Sequence, residues 1–203
     1  MRARFARRWW VVPAITFAIL LAGCQSSTKL TRYSESIDAC KLPDADTLAL
    51  LVPGTVEVEP DAVKAPDPKI IPADRTSGDN ELTTCRKVFA RDLGGKQPDL
   101  NDYRLVSIAA VRYTDSDDDV VAPKVRGLMT DAVGDQAGVR LATGIGDEAG
   151  VTDRWAAARS GNVVMVLALA DGGSEAALIA APNVDNVQRV VTGMVDNLKR
   201  LYG

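Results

Sequence analysis

The feature that most constrains the fold is an uninterrupted apolar run at residues 163–170. The run follows Asn162 and ends at the Asp-Gly-Gly turn of residues 171–173. Larger side chains at the odd positions alternate with Val and Ala at the even positions. Because the run is short and apolar on both faces, it predicts a β-strand that is buried on both faces. Helices or loops must then cover both sides of the sheet that contains it.

The periodicity of other segments predicts elements that can build and cover such a sheet. A second strong strand is predicted at residues 103–113, and a helix at residues 121–133, where apolar residues lie along one face. A C-terminal helix at residues 184–202 has Asn183 as its N-cap and an apolar stripe at helical spacing. Weaker signals predict a strand near residues 83–90, a turn at residues 94–95, a short helix after Pro43 and an irregular Pro-rich loop at residues 57–80. We therefore predict an α+β domain whose antiparallel sheet includes 103–113 and 162–170; a mixed sheet is the alternative.

The N-terminal residues predict export and lipid attachment. Four arginines precede a charge-free stretch at residues 9–21, which has the length of a signal-peptide core and is shorter than a membrane-spanning helix of about 20 residues. The L-A-G-C sequence at residues 21–24 is a lipobox, in which small residues admit the signal peptidase and the Cys24 thiol accepts diacylglycerol. The alternative is a buried apolar helix that ends in cysteine.

The lipobox divides the chain into three parts. We expect a signal peptide at residues 1–23, then an acylated Cys24 with a polar tether up to residue 36. A single extracytoplasmic domain follows at residues 37–203. The predicted location is the extracytoplasmic face of the cell membrane, with acyl chains such as palmitate as the anchor.

The charge of the mature chain limits its partners. Without the leader, 20 basic residues stand against 27 acidic residues, which gives a net charge of −7. An acidic surface argues against nucleic acid and anionic lipid headgroups as partners. Contact with the membrane is therefore expected through the lipid anchor, which is stable when it carries two or more acyl chains.

Two cysteines remain once Cys24 carries lipid. Cys40 and Cys85 form an even pair in an oxidising compartment, and a disulfide is the expected outcome. Two free thiols or a metal site are the alternatives, but the chain has no histidine to complete a ligand set. The acidic run at residues 115–119 resembles the opening of a calcium loop, yet it lacks the glycine and the closing glutamate of such a loop. It is interpreted as the start of a helix, and no metal site is predicted.

The G-I-G-D-E-A sequence at residues 144–149 matches the dinucleotide fingerprint G-x-G-x-x-A. That loop binds a pyrophosphate through backbone N–H groups, which the carboxylates of Asp147 and Glu148 would oppose. No cofactor is therefore expected. Since the chain has neither a histidine base nor a recognisable nucleophile motif, Asp147 and Glu148 are also the acids on which catalysis would depend.

Several of these motifs together resemble a known family. The lipobox, I-D-A-C-K-L at 37–42, Cys85, G-I-G-D-E-A at 144–149, R-S-G-N-V-V at 159–164 and the closing amphipathic helix are similar to actinobacterial surface lipoproteins of unknown function. A similar G-x-G-D-E-A turn is found in extracellular sensor domains of actinobacterial Ser/Thr kinases. The resemblance implies a binding role and supplies no catalytic residue.

Sequence and resemblance both point to the turn at residues 144–149 as a candidate site. One hypothesis is that Asp147, Glu148 and Trp155 form an exposed recognition patch, because an aromatic anchor beside charges is typical of binding hot spots. The other is a tight turn with positive-φ glycines and solvated acids. The expected function is a binding or accessory module for an envelope protein, peptide or glycan. The alternative is an envelope-polymer hydrolase or transferase that uses acidic residues.

Overall fold

The structure is a computed structural model, and it describes residues 29–63, 70, 78–134, 136–173 and 179–203. The predicted signal peptide, the lipobox and Cys24 lie outside these residues. The described residues form one antiparallel sheet of seven strands in the order β1-β2-β3-β7-β6-β5-β4. The strands are β1 (Thr55–Val58), β2 (Asn80–Arg91), β3 (Asp99–Tyr113), β4 (Arg140–Leu141), β5 (Glu148–Val151), β6 (Trp155–Ser160) and β7 (Val163–Gly173). The α+β prediction with an antiparallel sheet is therefore confirmed.

The apolar run forms most of β7, which lies at the centre of the sheet between β3 and β6. Its odd-numbered side chains, such as Met165 and Leu167, belong to one core cluster. Its even-numbered side chains, such as Val164 and Val166, belong to a second cluster on the opposite face. The prediction of a strand buried on both faces is confirmed, because each face of the sheet is covered by a helix.

The first core cluster includes helix α3 (Val184–Tyr202), which begins where the Asn183 side chain accepts a hydrogen bond from the Asn186 N–H at 2.8 Å. The second cluster includes helix α2 (Asp118–Gly134). Helix α2 begins three residues before the predicted start, so the end of the acidic run forms its first turn. Carboxylates are favourable there because the N-terminus of a helix carries partial positive charge.

The segment before the sheet is attached to it covalently. A short helix, α1 (Ala45–Ala49), follows a 3₁₀ turn that contains Cys40. The Cys40–Cys85 disulfide, with an S–S length of 2.01 Å, joins that turn to the middle of β2. The predicted disulfide is confirmed. The two cysteines that it joins are 45 residues apart in sequence. For a loop of this length the chain-entropy model gives roughly 4 kcal/mol of stabilisation.

The predicted irregular loop is shorter than the Pro-rich composition indicates. Its first residues belong to the edge strand β1, which pairs with β2, and β2 itself begins at Asn80. A 3₁₀ turn at Pro60–Ala62 follows β1. Much of the remaining loop, residues 64–69 and 71–77, lies outside the described part of the chain.

Candidate functional site

The G-I-G-D-E-A turn packs against the chain that leaves β6. Gly144 and Gly146 have φ values of 79° and 57°, a region that glycine adopts without steric cost. A Cβ atom on Gly146 would lie 2.2 Å from the carbonyl oxygen of Arg159. The Asp147 N–H donates to that same oxygen at 2.8 Å. Glycine at position 146 is therefore required both by its backbone conformation and by this close approach.

The two carboxylates of the turn both contact Arg159. Its Nη1 donates to Asp147 Oδ2 at 3.0 Å, and its Nε approaches Glu148 Oε2 at 3.4 Å. Asp147 Oδ2 also accepts a hydrogen bond from the Gly161 N–H at 2.7 Å. Asp147 thus joins the turn before β5 to the turn between β6 and β7, whereas Glu148 contacts Arg159 across the β5–β6 pair.

Trp155 does not belong to this group of residues. It lies at the opposite end of β6 from Arg159, four residues away, or about 13 Å at the rise of a strand. Its relative exposure is 7%, and it packs in the core cluster beneath α2. The predicted exposed patch of Asp147, Glu148 and Trp155 is therefore wrong for Trp155. The tryptophan fills the core because the apolar side of β6 at this end faces α2.

Asn162, in the turn that precedes β7, binds the backbone near the N-terminus. Its Oδ1 accepts from the Tyr33 N–H at 2.9 Å, and its Nδ2 donates to the carbonyl oxygens of Tyr33 at 3.2 Å and of Tyr113 at 2.8 Å. The Asn162 N–H also donates to the Thr31 carbonyl at 3.1 Å. Asn162 is buried, and its side chain uses three of its hydrogen-bonding positions on the backbone.

The residues that Asn162 binds form a docked segment, which we define as residues 30–33. The Tyr33 side chain is buried, and its hydroxyl lies 2.8 Å from Ser160 Oγ. A Cβ on Gly161 would lie 1.9 Å from the Thr31 carbonyl oxygen, and Gly161 has φ 55°. Gly161 is thus the residue that permits the docked segment to cross the β6–β7 turn.

The docked segment also contacts the start of α2. The Leu30 N–H donates to Asp118 Oδ2 at 3.2 Å, and Arg32 pairs with the same carboxylate. The hydrogen bond from Arg32 lowers the pKa of Asp118 below its ordinary value. The acidic run therefore provides a contact for the N-terminal segment.

These contacts correct the predicted boundary between tether and domain. Residues 24–36 were expected to be a polar tether, but residues 30–33 pack on the domain. Ile37, the first residue of the predicted domain, is buried. Residues 25–36 are polar in composition, and the burial of Tyr33 among them was therefore not predicted. The backbone of Tyr33 is hydrogen-bonded by the side chain of Asn162, which is 129 residues away in sequence.

A second polar cluster, which the sequence did not predict, lies at the other end of β3 and β7. Arg104 is fully buried, and its Nε donates to Asp171 Oδ1 at 2.6 Å. Its Nη1 donates to the Ala180 carbonyl at 3.1 Å, and Arg154 pairs with Asp171 Oδ2 at 2.7 Å. Burial raises the pKa of Asp171, but the hydrogen bonds from Arg104 and Arg154 outweigh it and leave the pKa below its ordinary value. Arg104, a charged residue near the start of the strand predicted at residues 103–113, was the available signal.

The surface of α3 borders an open groove of about 400 Å³, lined by Asp185, Gln188, Arg189 and Thr192. Arg140 on the edge strand β4 donates to Gln188 Oε1 at 2.7 Å and pairs with Asp185 at 3.3 Å. The groove lies on the N-terminal half of α3, and Arg140 contacts two of its four lining residues. The four lining side chains are polar and carry both signs of charge.

Comparison of the chain with models of protein families, with curated proteins and with solved structures gave no match.

Across the described residues, no helix has both the length and the apolar character needed to cross a membrane. Within the same ranges, no three acidic or cysteine side chains are grouped so that they could hold a metal ion. In the acidic run, Asp115 and Asp117 accept hydrogen bonds from the N–H groups of Asp117 and Asp119.

Proposed function

We propose that the mature chain is an extracytoplasmic lipoprotein anchored in the cell membrane through acylated Cys24. The lipobox at residues 21–24 supports this proposal. The Cys40–Cys85 disulfide agrees with it, because disulfides persist in oxidising compartments outside the cytoplasm.

We propose further that the domain is a binding or accessory module for an envelope protein, peptide or glycan. The observation that carries this choice is the pairing of Asp147 and Glu148 with one guanidinium, that of Arg159. General acid–base catalysis needs a carboxyl group positioned to exchange a proton with a substrate. Here Asp147 instead binds a backbone N–H of its own chain, so the hydrolase or transferase alternative loses the support it had from these acids.

The anchor is tested by Cys24→Ala in the full chain. Acylation forms a thioether on the sulfur of residue 24, so the variant should leave the detergent phase and appear in the aqueous phase or the medium. Ser26→Ala, two residues away, is the matched control and should partition as the unaltered chain does. Unchanged partitioning of Cys24→Ala would refute the lipoprotein proposal.

The binding role is tested by photo-cross-linking in live cells. A photoreactive amino acid replaces Arg189, which lines the groove beside α3, or Arg126, an exposed arginine on α2 that serves as control. A binding module should give a specific envelope component cross-linked through position 189 and not through position 126. Identical capture from both positions, or none from position 189, would count against the groove as a binding surface.

A further inference from the structure

The docked segment limits how far the domain can lie from the point of lipid attachment. This inference rests on the proposed anchor at Cys24. From Cys24 to Leu30 the chain advances by six residues, which span at most about 20 Å when fully extended. Leu30 is held by Asp118 and packs on the α2 side of the core. The part of the domain next to Leu30 must therefore remain within this distance of the lipid.

The strand register shows which parts of the domain lie at that end. We define the proximal end as the end where Asn80 pairs with Tyr113 and Ser160 pairs with Val163. It contains the start of α2, the G-I-G-D-E-A turn and the docked segment. The distal end is where Arg91 pairs with Asp99, and it includes the β2–β3 turn. Strand β3 has 15 residues, so the two ends are about 45 Å apart.

We infer that the domain is oriented on the bilayer by the docked segment, with its proximal end within about 20 Å of the lipid surface and its distal end pointing away from it. The short connection to the lipid constrains only the proximal end, and the distal end, about 45 Å away along β3, is free to point away from the bilayer.

The orientation also determines which surface a partner can reach. Arg140, which contacts Asp185 and Gln188 beside the groove, pairs with Val151, and the register continues this level across β6 and β7 to Ile108 in β3. Ile108 is five residues from the proximal end of β3 and nine from its distal end. A partner that binds the groove therefore meets the side of the domain and not its distal tip. The G-I-G-D-E-A turn faces the membrane.

Energy transfer from the domain to the membrane tests the orientation. The full lipidated chain is reconstituted in vesicles of phosphatidylethanolamine and anionic phosphatidylglycerol that carry an acceptor dye on the headgroups. A donor dye is attached through Ser116→Cys at the proximal end or through Lys96→Cys at the distal end, both exposed positions. Transfer from position 116 should be several-fold more efficient than transfer from position 96.

A spacer variant serves as the internal control. A long flexible Gly/Ser insertion between Ser27 and Thr28 should lower the transfer from position 116 and leave folding unchanged. Equal transfer from both positions, or no effect of the spacer, would overturn the orientation while the anchor stands. Flotation of the chain with the vesicles reports the anchor separately, and a chain that does not float overturns both proposals.

Discussion

The side chain of Asn162 hydrogen-bonds both backbone groups of Tyr33, at 2.9 Å to the N–H and at 3.2 Å to the carbonyl. A neighbouring β-strand would also hydrogen-bond the N–H and the carbonyl of a residue, but here both bonds come from one amide side chain in a turn. It positions the aromatic ring of Tyr33 in the core, with its hydroxyl against Ser160. The docked segment is therefore joined to the rest of the domain by buried contacts.

Asn162→Ala should destabilise the protein. The substitution leaves the N–H and carbonyl of Tyr33 and the carbonyl of Tyr113 without this partner, and buried unsatisfied groups should lower the free energy of unfolding by at least about 2 kcal/mol. Denaturant unfolding measures the difference. Asn101→Ala, at an exposed asparagine, is the control and should change stability by less than about 0.5 kcal/mol. Equal effects would show that the hydrogen bonds of the Asn162 side chain contribute nothing to stability.

The sequence predicted the elements with strong periodicity and missed those without it. Strand β7 and helix α3 were predicted because their apolar patterns are long and regular. Strand β6 was missed because its centre is three alanines, which have low strand propensity. It forms a strand because its backbone pairs with β7 and because Trp155 packs in the core beneath α2.

The site could be predicted only in part, for a physical reason. The glycines and acids of residues 144–149 indicated a tight turn, and the structure has one there. What the turn contacts is set by tertiary packing, since Asp147 binds Gly161 and Gly161 in turn packs on Thr31. Local patterns carry no information on contacts between residues this far apart in sequence.

Asp147→Ala should show that this turn has a structural role. Loss of the hydrogen bond to the Gly161 N–H and of the pairing with Arg159 should lower the free energy of unfolding by about 1 kcal/mol. Glu148→Ala removes a longer and partly exposed contact, so its effect should stay below about 0.5 kcal/mol. Thermal unfolding compares the two variants. A recognition role would instead appear as loss of the cross-linked partner without any change in stability.

Trp155→Ala should destabilise the protein far more than either acid variant. The indole is buried against the residues beneath α2, and truncation of a large buried aromatic residue costs about 3–5 kcal/mol. The midpoint of denaturant unfolding should fall accordingly. If the variant kept its stability and lost only its partner, Trp155 would be a recognition residue after all.

The Arg104–Asp171–Arg154 cluster predicts how stability depends on pH. The pKa of Asp171 is lowered in the folded protein, so the folded state holds the ionised form more strongly than the unfolded state does. The resulting stabilisation is complete above the unfolded pKa of about 3.9 and is lost as the pH falls through the lower, folded pKa. Stability should therefore decrease as the solution is acidified below about pH 4.

Asp171→Asn isolates this contribution. The variant leaves the buried guanidinium of Arg104 without its counter-charge, which should cost about 3–5 kcal/mol at neutral pH. Glu81 and Asp118, whose pKa values are also lowered, remain in both proteins, so their effect cancels in the comparison. The difference in unfolding free energy between the two proteins should shrink as the pH is lowered, because the unaltered protein then loses its own charge at position 171. A difference that stays constant from neutral to acidic pH would mean that Asp171 contributes through its shape and hydrogen bonds and not through its ionisation.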